Sequence, residues 1–436
     1  MTFENTVAFE ELFEIPLRNG LTKPKAVRGS GIRMVNMGEL FANGRLINTP
    51  MERVPTTNAE FEKSKLMSGD LLFARQSLVL SGAGKCSIFL KDEEDVVFES
   101  HLIRCRLNKQ KANPYFYYFY FSSWQGRSVI ESITEQVAVA GIRGSDLAKV
   151  EVTCPPLKDQ KAIAHILGTL DEKIELNRKT NETLEGIAKA LFRSWFVDFD
   201  PVRAKAEGRL AGLPDEISEL FPDSFEESEL GEIPNTWKFG DLNDLANLNP
   251  ESWSAKNHPS KLVYVDLSGT KNGKIEETVA YEWSDAPSRA RRVLREGDTI
   301  IGTVRPGNRS FSLIQRVGLT GSTGFAVIRP KQLFNTSFLY VASTSDESID
   351  RLAHLADGGA YPAVRPDVVM ETPITVPSEP IQMLFGEMTD SLLKKISVNE
   401  QELVVLGQLR DALLPRLISG ELRVPDAKKM LEEVGV

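Results

Sequence analysis

The chain has 436 residues, 41% of them hydrophobic, and a formal net charge of −9 at pH 7, which suits a soluble globular protein of more than one domain. No apolar run approaches the roughly 18 residues that cross a bilayer, and the acidic start lacks the pattern of a signal peptide. Three scattered cysteines and four unpaired histidines disfavour a disulfide framework or a zinc site, so we expect no bound metal and a reducing cytoplasm.

In chain order, the sequence repeats one arrangement twice. Four pairs of segments correspond between the two halves. The pair that begins at Gly31 and Lys261 predicts a strand, a polar stretch and an Asn-Gly hairpin turn, and the pair that begins at Leu66 and Val293 predicts an apolar strand that follows Gly-Asp. Each half is therefore predicted to be a mixed α/β (α+β) unit of about 140–155 residues, followed by one long helix. The matched segments are GIRMVNMGELFANGRLI with KLVYVDLSGTKNGKIEE, LMSGDLLFARQ with VLREGDTIIGTVRP, NPYFYYFYFSS with NTSFLYVAST, and VAGIRGSDLAKVEVTCPP with YPAVRPDVVMETPITVP.

The aromatic run YFYYFYF spans Tyr115 to Phe121. Such a run could stack on unpaired bases. The matched segment FLYVAST keeps little of this aromatic character, so we favour packing in the hydrophobic core.

Heptad patterns predict two long helices, from about Lys158 to Phe196 and from about Ser378 to Ile418. Each would be roughly 60 Å long at about 1.5 Å per residue. An apolar stripe of this length needs a partner, and the other helix is the natural one. The equivalent layers stand 222 positions apart and comprise Ile163, Leu170, Asn177, Leu184 and Leu191 in the first helix and Phe385, Leu392, Asn399, Leu406 and Leu413 in the second.

Asparagine occupies the middle layer of both seams, at Asn177 and Asn399. We expect the two amides to hydrogen-bond to each other, because a buried polar pair weakens a coiled coil but excludes slipped alignments. Parallel and antiparallel packing would both align this pair. The antiparallel arrangement is favoured because it sends the two α/β units to opposite ends of a rod. The alternative is that both asparagines face solvent near a break in each helix.

The segment from Asp200 to Pro234 contains four prolines and an acidic excess, and it predicts a connector with little helix of its own. The predicted organisation is a first α/β domain (1–156), a first long helix (157–199), the connector (200–234), a second α/β domain (235–377), a second long helix (378–420) and a C-terminal tail (421–436).

Two similar units held apart by a rod comparable to two duplex turns of about 34–36 Å each predict a protein that measures DNA. The acidic net charge argues against this, but two local segments are basic: residues 18–33 carry five basic side chains and residues 288–309 carry six arginines. Such loops can contact phosphates, and arginine can read guanine. For a single residue, a merely solvated basic face is an equal alternative. The candidate DNA contacts are Lys23, Lys25, Arg28, Arg33, Arg75, Lys85, Arg143, Arg289, Arg291, Arg292, Arg305, Arg309, Tyr361 and Arg365.

Three segments carry a resemblance to a known family: PPLKDQKAIAHILGTLDEKIELNRKTNETLEGIAKALFRSWFVDFDPV, LGEIPNTWKFGDL and LLPRLISGELRVP. Over nearly its whole length the chain resembles the specificity subunits of type I restriction–modification systems. The resemblance implies two target-recognition domains, each reading one half of a split double-stranded DNA sequence, and an antiparallel helical spacer that docks methyltransferase subunits, expected to number two. One departure is that the first unit lacks a counterpart of the LGEIPNTW lead-in.

The same resemblance implies that restriction (translocase–nuclease) subunits join this core and that the complex directs adenine methylation and restriction. No cofactor is then expected in this chain. S-adenosylmethionine would belong to the partner methyltransferase, and ATP and Mg²⁺ would belong to the restriction subunit.

The sequence contains no convincing catalytic motif. Asn113-Pro114-Tyr115-Phe116 resembles the Asn-Pro-Pro-Tyr motif of amino-methyltransferases only faintly, and SGAGKCS lacks the residues of a phosphate-binding loop. We therefore expect no catalysis by this chain. Two alternatives stay open: the recognition part of a fused restriction–methylation enzyme, for which a catalytic motif is missing, and a coiled-coil adaptor that binds only protein.

Overall fold

The computed structural model describes residues 3, 5–136, 140–210, 212–228 and 231–433. Val139 and Leu230, which begin two of the segments compared above, and the last three residues of the predicted tail lie outside this part of the chain. The chain divides into two compact units. Unit one comprises residues 1–176 and 403–436, and unit two comprises residues 177–402. No described helix combines the length and apolar character that a membrane span requires.

Unit one is built on a five-stranded sheet with the order β2-β10-β6-β8-β4 and a three-stranded sheet with the order β5-β3-β9. Its strands are β1 (Thr6–Ala8), β2 (Phe13–Asn19), β3 (Ile32–Val35), β4 (Arg45–Ile47), β5 (Glu52–Val54), β6 (Leu71–Ala74), β7 (Gln76–Ser77), β8 (Cys86–Lys91), β9 (Val96–Phe98), β10 (Leu102–Leu107), β11 (Glu135–Gln136), β12 (Ala140–Gly141) and β13 (Glu151–Thr153). Its helices are α1 (Met37–Ala42), α2 (Asn58–Ser64), α3 (Pro114–Ser122), α4 (Trp124–Ser132), α5 (Gly144–Lys149) and the first part of α6 (Leu157–Phe196).

Unit two contains two four-stranded sheets, with the orders β17-β26-β23-β24 and β21-β18-β25-β22. Its helices are the second part of α6, α7 (Asp200–Ala206), α8 (Asp215–Ser218), α9 (Leu242–Leu245), α10 (Thr336–Thr344), α11 (Asp346–Leu355), α12 (Pro366–Met370) and most of α13 (Glu379–Ser419). The last turns of α13, from residue 403, belong to unit one, as does α14 (Val424–Glu433). Its strands are β14 (Phe225–Ser228), β15 (Gly231–Pro234), β16 (Lys238–Asp241), β17 (Ala246–Leu248), β18 (Lys261–Val265), β19 (Thr270–Lys271), β20 (Lys274–Ile275), β21 (Val279–Glu282), β22 (Ala290–Val293), β23 (Thr299–Gly302), β24 (Phe311–Leu313), β25 (Leu319–Ser322), β26 (Phe325–Pro330) and β27 (Pro373–Val376).

The two units share one strand topology, which confirms the predicted internal repeat. The antiparallel run β2-β10-β6-β8 of unit one corresponds to β17-β26-β23-β24 of unit two. The parallel pair β3 and β9 corresponds to the parallel pair β18 and β25. At the edge of each unit, β1 pairs with β13 as β16 pairs with β27. The first unit therefore keeps an edge strand although it lacks the LGEIPNTW lead-in.

The predicted Asn-Gly hairpin is confirmed in unit two and wrong in unit one. Asn272 and Gly273 both have positive φ, at 46° and 83°, and they connect β19 to β20, as a tight hairpin turn requires. In unit one, Asn43 is extended, with a φ of −128°, and follows α1. The side chain of Glu39 caps this helix by accepting a 2.8 Å hydrogen bond from the Asn36 amide, so the polar stretch forms a helix instead.

The aromatic run forms α3, and its core-packing prediction is confirmed. Five of its side chains are buried in the main core of unit one: Phe116, Tyr117, Phe119, Tyr120 and Phe121. The Phe121 ring lies 5.0 Å, centroid to centroid, from both the Phe9 ring and the Phe73 ring. These side chains are therefore not available to stack on bases.

The long helices are confirmed: α6 has 40 residues and α13 has 41. Within unit two they run antiparallel, because residues later in α6 contact residues earlier in α13. Asn177 hydrogen-bonds to Glu402, whereas the Phe192 ring lies 6.0 Å, centroid to centroid, from the Phe385 ring. Within unit one, Leu406 and Leu413 of α13 belong to the same core cluster as Ile163 and Leu170 of α6. Some predicted layers in unit two are only half-buried; they are Leu184, Leu191 and Leu392.

The predicted hydrogen bond between Asn177 and Asn399 is wrong. Nδ2 of Asn399 donates to Oδ1 of Asn181 over 2.7 Å, and Asn177 donates to Glu402 over 2.9 Å. In the antiparallel register, Asn399 faces Asn181, which lies one helical turn after Asn177. The correspondence between the two repeats does not determine which layers of the two helices face each other. All three asparagines are buried, so the alternative that Asn177 and Asn399 face solvent is wrong too.

The segment predicted as a connector contains two short helices, α7 and α8, and the hairpin formed by β14 and β15. It is also packed: Val202 and Phe221 belong to the main core cluster of unit two, and the Phe221 ring lies 5.0 Å from the Trp195 ring. The predicted boundaries between domains, long helices and connector stay predictions.

Candidate nucleic-acid interface

The first basic segment, residues 18–33, is mostly paired within unit one. Lys23 forms an ion pair of 2.9 Å with Glu60, and Arg28 forms one of 2.6 Å with Glu52. Nη1 of Arg33 lies 2.5 Å from Oδ1 of Asp92, whose side chain is fully buried. Lys25 is exposed, and its side chain forms no hydrogen bond or ion pair with the described residues. The charges of three of the four candidates therefore serve the fold of this unit, and Lys25 is the one that projects into solvent.

The second basic segment begins with three arginines that differ in their surroundings. Nε of Arg289 donates to the hydroxyl of Tyr264 over 2.9 Å, and this hydrogen bond is the main cause of its raised pKa. The guanidinium of Arg291 lies 4.4 Å from the Trp283 ring, on which the His258 ring also stacks. Arg292 is half-buried, its Nε has no hydrogen-bond partner among the described residues, and desolvation lowers its pKa. Arg289, with 60% of its side chain exposed, is thus the most accessible of the three.

In each unit, the loop after the central strand forms a backbone hydrogen bond with the segment that precedes a short helix. In unit one the amide of Ile142 donates to the carbonyl of Arg75 over 3.0 Å, and in unit two the amide of Val364 donates to the carbonyl of Thr303 over 2.9 Å. Both contacts join the loop after the central strand, β6 or β23, to the residues that precede α5 or α12. The structure therefore brings the loop that contains Arg75 beside Arg143, and the loop that contains Arg305 beside Arg365.

The arginines that precede α5 and α12 are matched as predicted. Arg143 and Arg365 stand directly before these helices and 222 positions apart. Each is mostly exposed and forms one surface ion pair, Arg143 with Glu135 over 2.8 Å and Arg365 with Asp367 over 3.1 Å. Exposed pairs of this kind contribute little to stability, so neither guanidinium group is held strongly by its carboxylate.

The Arg305 loop of unit two has a distinctive backbone. Arg305 and Arg309 both have positive φ, 49° and 60°, which is uncommon for side chains other than glycine and asparagine. The Arg305 side chain is exposed and stacks on Tyr361, and Arg309 pairs with Asp346.

The remaining candidate, Lys85 of unit one, is half-buried, and its ammonium group donates to the carbonyl of Phe41 over 2.9 Å.

Two shallow pockets flank the Arg305 loop. One of about 400 Å³ is lined by Asp266, Arg289, Val304 and Thr323, among others. The other, of about 280 Å³, is lined by Arg305, Asn308, Ala353 and Pro362, among others. Because Val304 and Arg305 are neighbours in the chain, the structure brings Arg289 and the Arg305 loop to one surface.

The sequence analysis missed the loop tip of unit one. Leu78 and Val79 follow β7, at the place that Pro306 and Gly307 occupy after the Val304 bridge in unit two. Leu78 is 93% exposed and Val79 is 60% exposed, so this tip presents apolar rather than basic side chains. The repeat itself was the signal that could have found it, because LMSGDLLFARQ and VLREGDTIIGTVRP end at matched loops.

Comparison with known proteins shows what the chain is similar to. Residues 4–186 match the family model described as the type I restriction modification DNA specificity domain. The chain is 25% identical to the HindI specificity subunit of Haemophilus influenzae over 89% of its own length and 94% of that protein. It is also 25% identical to the MjaIX specificity subunit of Methanocaldococcus jannaschii, over 71% of this chain and 69% of that one.

The fold agrees with a solved structure. The crystal structure of the type I restriction–modification S subunit from M. genitalium superposes with a TM-score of 0.58 at 16% identity, covering 95% of both chains. The sequence matches agree with this likeness in fold: the chain is similar to type I restriction enzyme specificity subunits, and its residues 4–186 match their DNA specificity domain.

Proposed function

We propose that the chain is the non-catalytic DNA-specificity subunit of a type I restriction–modification complex and that each of its units reads one half of a bipartite duplex sequence. The observation that carries the proposal is the internal repeat. The same strand topology places a matched, exposed arginine, Arg143 or Arg365, beside the loop that follows the central strand. Two similar readers in one chain fit a target with two different halves.

The acidic net charge is compatible with DNA binding because the accessible basic groups are local. Lys25 and Arg75 in unit one, and Arg289 and Arg305 in unit two, have exposed side chains that could contact phosphates or bases. The carboxylates, in contrast, neutralise the candidates that are more deeply placed, as Asp92 neutralises Arg33.

The long helices would set the separation of the half-sites and dock methyltransferase subunits, two per chain, with restriction subunits joining the assembly. Exposed apolar side chains on the helices of unit two support a docking role; these are Ile187, Met383, Met388 and Val398. S-adenosylmethionine, ATP and Mg²⁺ would then be held by the partner subunits, and the complex would act in the cytoplasm.

Co-expression of the chain with its methyltransferase, followed by mapping of modified adenines across a genome, tests this function. We expect methylation at one bipartite sequence and no methylation by the chain alone. Exchanging residues 1–155 for the recognition unit of another specificity subunit should change one half of that sequence only. A change in both halves would contradict the two-reader proposal, and methylation by the purified chain alone would contradict its non-catalytic character.

A further inference from the structure

We propose that Arg305 reads the guanine of a G·C pair in the half-site that unit two recognises, and that Tyr361 positions its guanidinium group. This inference rests on the proposed function, because it assigns a base and a reader within the same recognition surface.

The guanidinium group of Arg305 is held on one side and open on the other. Its Nε and Nη2 atoms donate to the carbonyl oxygen of Ala360 over 3.3 and 2.7 Å. Arginine has five N–H groups in a planar fork, so the outer edge, formed by Nη1 and the second Nη2 hydrogen, keeps its donors. Guanine presents two acceptors, O6 and N7, in the major groove, and they match that edge.

Tyr361 lies under this group. Its ring is 4.4 Å from the Arg305 guanidinium carbon, and 70% of the residue is exposed. A backbone hydrogen bond also holds the two segments together, because the amide of Arg305 donates over 2.7 Å to the carbonyl of Pro362, the residue after Tyr361. The positive φ of Arg305 is a conformation that usually persists only where the surrounding contacts impose it, as at ligand-binding sites. A side chain ordered in advance loses less conformational freedom when it binds.

Arg305 differs from its basic neighbours in the chemistry of its acceptor. Arg309 pairs with Asp346, Arg289 with Asp266, and Arg365 with Asp367, so each of them has a carboxylate partner. The acceptor of Arg305 is a neutral carbonyl, and no carboxylate of the described residues forms an ion pair with it. Its charge is therefore available to a guanine without the loss of an existing ion pair.

Unit one carries different chemistry at the equivalent position. Gln76 pairs with Gly141 as Val304 pairs with Ala363, so the residue matched to Arg305 is Ser77. The next residue, Leu78, is apolar and exposed. The contribution of Arg305 should therefore be confined to the half-site of unit two, which gives the test an internal control.

The experiment is to co-express wild-type chain, Arg305→Ala, Arg305→Lys, Tyr361→Phe or Tyr361→Ala with the methyltransferase and to map modified adenines. Arg316→Ala, an exposed arginine of the same unit, is the matched control. We expect Arg305→Ala to accept other bases at one G·C position of the unit-two half-site, with discrimination lower by about 5- to 150-fold. Arg305→Lys should relax the same position because lysine lacks the planar fork.

Tyr361→Phe should keep the guanine requirement because the ring is retained, whereas Tyr361→Ala should weaken it. The half-site of unit one should stay unchanged in every variant, which also shows that the variants fold. The inference is overturned if Arg305→Ala still requires guanine at every such position, if all positions weaken equally, or if the wild-type half-site contains no G·C pair. If instead the wild-type chain directs no methylation to a bipartite sequence, the proposed function itself fails.

Discussion

Nδ2 of Asn399 donates a 2.7 Å hydrogen bond to Oδ1 of Asn181, and both side chains are buried between α6 and α13 in unit two. Asn181 in turn donates to Glu400 over 2.9 Å, and Glu400 forms an ion pair of 2.9 Å with Lys274 of the hairpin β19–β20. The polar layer of the seam is thus connected to the recognition unit. A buried polar layer of this kind lowers stability relative to an apolar one but favours a single register.

Replacing Asn399 alone should destabilise the chain. Asn399→Leu leaves Oδ1 of Asn181 buried without its donor, at a cost of about 1–3 kcal/mol. The double variant Asn181→Leu/Asn399→Leu removes both polar groups and should be more stable than the single variant. Urea unfolding of the wild type, both single variants and the double variant measures the coupling. A double variant that is as unstable as the sum of the two single changes would show that the pair does not act as a unit.

The heptad periodicity predicted the two long helices, their partnership and the buried polar layers. It could not predict that Asn399 meets Asn181 rather than Asn177, because the facing register of an antiparallel pair depends on the packing of the whole core. The basic segments were also visible in the sequence, but their pairing was not. The carboxylates that neutralise Arg33 and Lys23 lie 59 and 37 positions away, so only the folded chain shows which charges stay accessible.

A second prediction concerns an ion pair that both units contain. Arg106 donates two hydrogen bonds of 2.7 Å to Asp70, which follows Gly69 at the start of β6. Arg329 donates in the same way to Asp298, over 2.7 and 2.8 Å, at the start of β23. Both aspartates are buried, and these hydrogen bonds are the main cause of the raised pKa of each arginine.

Asp70→Asn should destabilise the chain by about 3–5 kcal/mol, because Arg106 then loses its carboxylate partner in a partly buried site. Asp298→Asn should also destabilise the chain, but by less, because Arg329 keeps its ion pair with Glu251. Denaturant unfolding measures the change. The control is Glu94→Gln, which removes the exposed ion pair with Arg53 and should leave the stability close to that of the wild type. If the two aspartate variants unfold like this control, the matched pair does not stabilise the units.

The salt dependence of DNA binding should separate accessible from internal charges. Lys25→Ala and Arg75→Ala each remove an exposed charge that has no side-chain partner among the described residues. If both contact phosphates, the double variant should lower the slope of log K against log salt by about 2, since each contact contributes about 0.9. Fluorescence anisotropy with duplex DNA from low to moderate salt measures the slope.

Arg33→Ala is the contrasting variant in the same experiment. It breaks the buried ion pair with Asp92 and should lower the stability of the chain while leaving the salt slope of the folded protein unchanged. Wild-type affinity that stays flat across this salt range would favour the protein-only adaptor over the DNA-reading function.

The pH dependence of stability should reveal the Glu251 cluster of unit two. Hydrogen bonds from Arg295 and Arg329 lower the pKa of Glu251 from 4.5 to about 2. Because the folded pKa is the lower one, the carboxylate stabilises the fold above about pH 4.5, and this contribution is lost as the pH falls toward 2. Glu251→Gln should therefore melt below the wild type near pH 6, and the difference should shrink as the pH is lowered to about 3. Thermal unfolding across this range measures it, with the exposed Glu296→Gln as the control that should melt like the wild type near pH 6. A difference that stays constant or grows on acidification would show that Glu251 does not stabilise the fold as an ionised carboxylate.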